Sequence, residues 1–205
     1  MKKAFLVLVA ILGFANLADC LSKAPAQLDE SKKPVDSGAI TSPELEAFLG
    51  QKRLEASLQP EGCAEVEVDY GLAPAGMAKG YDWTSDYIKN GSFQATPRGK
   101  GKASKEVCWF EFNSHVSSAE AQKRIEADGE FLVADLWELN ALGTAKPELQ
   151  RSMWIVALGS GWRSPDGRVN VPVLLRNGTK RRLDLGWVDP AYWWSSGGRF
   201  LAVRK

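Results

Sequence analysis

The sequence predicts an α+β domain in which two short helices lead into a C-terminal antiparallel sheet. Three observations carry that prediction. From Met153 to Lys205, short apolar runs alternate with turn signals, and Trp recurs at the run ends (Trp154, Trp162, Trp187, Trp193 and Trp194). Upstream, Ser117 with Glu120 and Asp135 with Glu138 have the spacing of helix capping boxes. Further upstream, Glu65 to Tyr70 alternates apolar and polar residues, the period of a half-buried strand.

In chain order, the first twenty residues read as a targeting segment. Lys2 and Lys3 form a charged start, Ala4 to Ala15 an apolar stretch too short to favour a membrane span, and Asn16 to Cys20 a cleavage region. Leu17 to Cys20 invites lipidation of Cys20 and so membrane anchoring through the N-terminus. Asp19 is atypical there, because a small residue is expected before such a cysteine, and ordinary cleavage near Ala18 or Cys20 accounts for the same residues. Either route places the protein outside the cytoplasm, in periplasm, envelope or medium. Residues 21–40 have linker composition. Residues 41–60 open with Thr41-Ser42-Pro43-Glu44, which suits a helix start, and carry Leu45, Phe48 and Leu49 on one face of an amphipathic helix. The main domain is expected over 63–205.

Within that domain, Gly71 to Gly80 reads as a loop and Tyr81 to Ile88 as a short helical turn broken by Asn90-Gly91. Thr96 to Lys105 is a basic, Gly-containing run without interleaved aromatics, read as a solvated hairpin loop. Val107 to Phe112 is a strand. The Ser117 cap begins a helix over Ala119 to Ala127 that ends at Asp128-Gly129. Asp135 begins a second helix, with Leu136, Leu139 and Leu142 on its apolar face and Gly143 closing it. Trp154 to Leu158 is the next strand. Pro165-Asp166-Gly167 forms a turn. Asn177-Gly178 signals a hairpin between Val171–Leu175 and Arg181–Leu185. Pro172 argues that the first of these is an edge strand or bulged. Phe200 to Val203 closes the sheet.

Composition narrows the function classes. The chain has 26 basic and 25 acidic residues and a formal charge of +1, which gives no electrostatic reason to expect nucleic acid as a partner. Its 205 residues suit one domain of about 130–150 residues plus N-terminal extensions. Apart from Cys20 there are two cysteines, Cys63 and Cys108. They could form one disulfide, worth about 4 kcal/mol in the chain-entropy model, or stand as two buried thiols; the spacing admits both and matches no zinc motif.

A strand, two helices and then Trp-rich short strands ending in Arg199-Phe200 resembles the C-type-lectin-like fold, in the branch shared with formylglycine-generating enzymes and bacterial variable proteins. From Tyr81 to Lys205 the chain also resembles a family of uncharacterised bacterial proteins. Tyr81-Asp82-Trp83, Phe112-Asn113, Ala134 to Leu139, Pro147 to Arg151, Ile155 to Ser160, Val171-Pro172 and Phe200 to Lys205 carry that likeness. Relatives often have Arg-Pro-Ala-Thr where this chain has Leu132-Val133-Ala134-Asp135. The lectin-like resemblance implies a ligand face built from C-terminal loops. The oxidase chemistry of the formylglycine branch is not expected, because no cysteine lies in the C-terminal third.

The sequence offers no catalytic set. His115 is the single histidine, and no nucleophile can be tied to it; a cell-envelope enzyme using it as general base is the rival reading, and a purely structural envelope protein a third. Asp184 and Asp189 flank Trp187, but no lectin calcium motif accompanies them, and neither metal nor other cofactor is expected. Trp187 to Trp194 holds Tyr192, Trp193 and Trp194 in succession. Adjacent side chains on an extended backbone alternate, so these three cannot share one face. They suit core aromatics of a strand-poor domain as well as a surface site; the lectin-like resemblance, with its ligand face on the C-terminal loops, implies a binding module for a glycan or a protein at the cell envelope. Its candidate ligand-binding residues are Arg163, Asn177, Asp189, Tyr192, Trp193, Trp194 and Arg199.

Overall fold

The computed structural model describes residues 58–188 and 193–205. The targeting segment, the linker and residues 41–57 of the expected N-terminal helix lie outside them, as do Asp189 and Tyr192. The described chain is mixed α+β, mostly sheet with a few short helices. Among the described residues, no helix is long and apolar enough to cross a membrane.

Alternation in Glu65 to Tyr70 becomes β1 (Gly62–Asp69), and the basic run feeds straight into β3 (Lys102–Glu111). The two pair antiparallel over eight residues, from Gly62 opposite Trp109 to Asp69 opposite Lys102. The last four residues of the expected basic loop, Lys102 to Lys105, are thus strand. Between them the chain forms α1 (Pro74–Met77), a 3-10 turn at Ala78–Gly80, β2 (Trp83–Thr84) and α2 (Asp86–Lys89). The expected loop over Gly71 to Gly80 is therefore partly helical, with Pro74 at the helix start, where its missing N–H costs nothing.

Next come β4 (Val116–Ser117), α3 (Ser118–Ile125), β5 (Phe131–Val133), α4 (Leu136–Ala145) and α5 (Leu149–Ser152). The Ser117 hydroxyl accepts from Glu120 N at 3.2 Å, while the Glu120 carboxylate turns to Arg124. Asp135 forms the full reciprocal box: its carboxylate accepts from Trp137 N and Glu138 N, and Glu138 accepts from Asp135 N at 2.8 Å. Contrary to expectation, Gly143 does not close this helix, which runs to Ala145. Gly143 is a contact point: a Cβ there would meet the Tyr81 hydroxyl at 2.5 Å and Leu174 at 2.9 Å.

The C-terminal part supplies β6 (Trp154–Val156), β7 (Trp162–Arg163), β8 (Val169–Asn177), β9 (Lys180–Val188), β10 (Trp193–Trp194) and β11 (Gly198–Arg204). The main sheet runs in the order β1-β3-β11-β6-β8-β9-β2, with β5 also on β11 and β7 also on β8; β4 and β10 form a separate ladder. The predicted hairpin is present: Asn177 pairs with Lys180 around Gly178 and Thr179, and Gly178 takes φ +59°.

Pro172 does not mark an edge. Its strand β8 lies between β6 and β9. The Pro172 carbonyl accepts from Ala157 N at 3.0 Å, so its ring nitrogen faces the same side, just beyond the last β6 residue paired to β8, Val156. The missing donor falls in the gap between the β6 and β7 ladders, where no partner needs it.

Side-chain alternation divides the core between the two faces of the sheet. Val107, Ile155, Leu201 and Val203 join Leu136, Leu139 and Leu142 of α4, with Ile88 of α2. Cys108, Phe110, Val156, Phe200 and Ala202 join Ala121 and Ile125 of α3, with Trp194 and Phe131. The closing strand β11, buried along most of its length, feeds both clusters.

Candidate functional site: an aromatic end of the sheet

Trp162 pairs with Asn170, and Asn170 with Trp187, so the three occupy one row across β7, β8 and β9. Directly opposed residues project to the same face. Trp162 is nearly buried, with the Tyr87 ring 5.0 Å and the Phe93 ring 5.8 Å from it. Tyr87 and Trp187, by contrast, are each 43% exposed. Tyr87 reaches this place because β2 pairs parallel to β9, and Ser85 N continues the pairing by donating to Leu183 O. α2 then follows directly and carries Tyr87 onto Trp162.

The turn between β7 and β8 holds the polar side of this patch. Ser164 N donates to Arg168 O at 2.9 Å and Gly167 N to Ser164 O at 2.9 Å. The Ser164 hydroxyl bonds the Asp166 carboxylate and accepts from Asn170 Nδ2 at 2.9 Å. That hydroxyl and the Arg168 N–H hold the Asp166 carboxyl below its ordinary range. Arg168 lies 3.5 Å from Asp166, and its guanidinium is 4.7 Å from the centre of the Trp187 ring. The surface thus carries two aromatic side chains beside an amide, a carboxylate and a guanidinium.

Of the seven sequence-predicted residues, the five that are described do not all converge here. Arg163 lies at this end of β8, opposite Val169, and donates to Gly167 O at 2.6 Å. Asn177 ends the same strand eight residues on, about 26 Å away at strand rise. Trp193 is exposed, the most open of the large apolar side chains among the described residues, at 57%. Trp194 is buried: its indole N–H donates to the Ser118 hydroxyl at 2.7 Å and its ring lies 5.3 Å from Trp154. Arg199 pairs with Glu61 and Glu111, and the Glu61 hydrogen bond holds its charge more firmly than usual. His115 is exposed, and among the described residues no hydrogen bond or ion pair links it to a carboxylate.

A second polar group is buried beneath the 96–101 segment. Tyr70 donates to Glu138 Oε1 at 2.8 Å, Arg98 N donates to Asp135 Oδ2 at 3.0 Å, and the Arg98 guanidinium reaches Val133 O. Burial, reinforced by the Asp135 charge, pushes the Glu138 carboxyl up. Burial and the Glu138 bond push the Tyr70 hydroxyl up as well. Asp135 and Glu138 are closed to solvent, and Tyr70 nearly so. This group anchors the loop and offers no route to a ligand.

The signals for Tyr87, Asn170 and Arg168 were weak in sequence, because only the β2–β9 and β7–β8–β9 pairings assemble them. Trp187 stood out as one of the recurrent Trp residues. Comparison of the chain with family models, with curated proteins and with solved structures finds no match.

Proposed function

We propose that this is an exported binding module of C-type-lectin-like architecture, whose ligand face is the aromatic end of the sheet. The observation that carries the reading is the row Trp162–Asn170–Trp187 with Tyr87 packed on Trp162. It leaves two half-exposed aromatics beside fixed polar groups. Half-exposed aromatic side chains next to oriented hydrogen-bonding groups suit the apolar faces and hydroxyls of a sugar, or a peptide segment. A rigid aromatic platform loses little conformational entropy on binding.

The lectin-like architecture is supported by the path of the chain. β11 returns to the middle of the sheet, antiparallel to β3 and parallel to β6, and α3 and α4 fill the connection between those two neighbours. Export is supported by the disulfide between Cys63 and Cys108, which suits an oxidising compartment.

Titrating intrinsic Trp fluorescence with glycan and peptidoglycan fragments, with and without calcium, tests the reading. A saturable shift that Trp187→Ala removes in folded protein supports it. Silence toward every glycan and peptide probe contradicts it and leaves a structural envelope role.

A further inference from the structure

Cys63 on β1 stands directly opposite Cys108 on β3, and a disulfide joins them across 45 residues of sequence. Among the described residues, β1 is the outermost strand on its side of the sheet. Cys63 is exposed, whereas Cys108 is fully buried. Two residues before Cys108, and so on the same face, Glu106 brings its carboxylate to the pair: the two sulfurs and a carboxylate oxygen all lie within 4.8 Å of one another. Glu65 is the register partner of Glu106, and Cys63, Ala64, Glu65 and Glu106 line a shallow groove.

We propose that reduction of this disulfide turns the groove into a site for a thiophilic divalent cation of the zinc class, held by the Cys63 and Cys108 thiolates and the Glu106 carboxylate. Two thiolates and a carboxylate are a donor set for such an ion, and the groove leaves a fourth position for water or Glu65. In the oxidised protein Cys63 and Cys108 offer no free thiolate, so the site is gated by redox state.

The gating step is thiol–disulfide exchange with a dithiol reductant. One reductant thiolate attacks the exposed Cys63 Sγ. The Cys63–Cys108 bond breaks, and its electron pair leaves on Cys108 Sγ. The second reductant thiol then attacks the mixed disulfide, releasing the Cys63 thiolate and closing the reductant's own disulfide. The protein gains two electrons, and the cation takes the place of the two protons the thiols would hold. The Glu106 carboxylate is also paired with Arg204, so the main repulsion is between the two thiolates, and a dication removes it. The paired residues on either side of the cysteines keep the strands aligned. The sulfurs can therefore part by side-chain rotation toward metal bonds of about 2.3 Å.

The test uses the full chain carrying Cys20→Ser, reduced anaerobically with a phosphine, freed of reductant and titrated with Co2+. The expected result is one equivalent bound with thiolate-to-cobalt charge-transfer absorption, displaced by Zn2+ and absent from the oxidised protein. Cys63→Ser should abolish that absorption. Glu106→Gln should weaken binding about tenfold or more, the scale already seen for outer-shell partners of metal ligands. A reduced protein with native circular dichroism but no charge-transfer band overturns the proposal. So does unfolding on reduction, because the site needs the paired strands. Unchanged affinity in Glu106→Gln overturns the carboxylate's part in it.

Discussion

Tyr70 donates its hydroxyl to the buried Glu138 carboxylate at 2.8 Å, joining the end of β1 to the first turn of α4 across 68 residues of sequence. The same carboxylate accepts from Asp135 N, and the Arg98 guanidinium is 3.9 Å from it. One buried acid therefore holds a strand end, a helix cap and the 96–101 loop together. Tyr70→Phe leaves a Glu138 oxygen without its donor and is expected to cost about 1–3 kcal/mol, read from urea unfolding.

The same acid sets a pH dependence. Burial and the Asp135 charge raise the Glu138 pKa in the folded state above its unfolded value. Its contribution to stability is then fully present below the ordinary glutamate range and is lost as pH rises through the elevated folded pKa. Urea unfolding across this range, wild type against Glu138→Gln, should show the wild type losing stability relative to the variant as pH rises. A difference that stays constant with pH would contradict it.

Arg181 ties three elements to β9. Its guanidinium donates to Gly143 O in α4, to Gly80 O at 3.1 Å and to Gln150 Oε1 in α5 at 3.1 Å, and it lies 5.0 Å from the Tyr81 ring centre. Gln150, itself buried, passes the connection on to Leu175 O and Arg182 O. Arg181→Ala is expected to destabilise by about 2–3 kcal/mol, because it leaves carbonyls without their charged donor. Arg181→Lys, a point charge without the guanidinium fork, should recover only part of that in thermal unfolding.

Gly198 passes directly beneath Trp154. A Cβ there would lie 1.9 Å from the ring, closer than any real contact. Gly198→Ala should displace Trp154 from its packing against Trp194 and Phe200 and cost about 1–3 kcal/mol. Near-ultraviolet circular dichroism, which reports Trp packing, should change with it; an unaltered spectrum would contradict the contact.

Local signals were legible in the sequence, and long-range ones were not. The Asp135–Glu138 box and the Gly178 hairpin depend on neighbouring residues and appear as expected. Gly143 and Pro172 misled because their meaning depends on what packs beside them: Leu174 and Tyr81 in one case, the gap after β6 in the other. For the candidate site, the recurrence of Trp pointed to the strands that carry Trp162 and Trp187. It could not separate buried Trp194 from exposed Trp193, nor bring Tyr87 to Trp162, since α2 and β7 are joined only through the sheet.

Calorimetric titration of the protein, with a glycan or peptide that shifts its fluorescence, tests the ligand-face assignment most directly. Four proteins are compared: wild type, Tyr87→Ala, Trp187→Ala and, as a control from the far end of β8, Asn177→Ala. Loss of an exposed aromatic contact should weaken binding about tenfold or more in each aromatic variant, equivalent to about 1.4 kcal/mol, with Asn177→Ala unchanged. Wild-type affinity in both aromatic variants, or a loss confined to Asn177→Ala, would contradict the assignment.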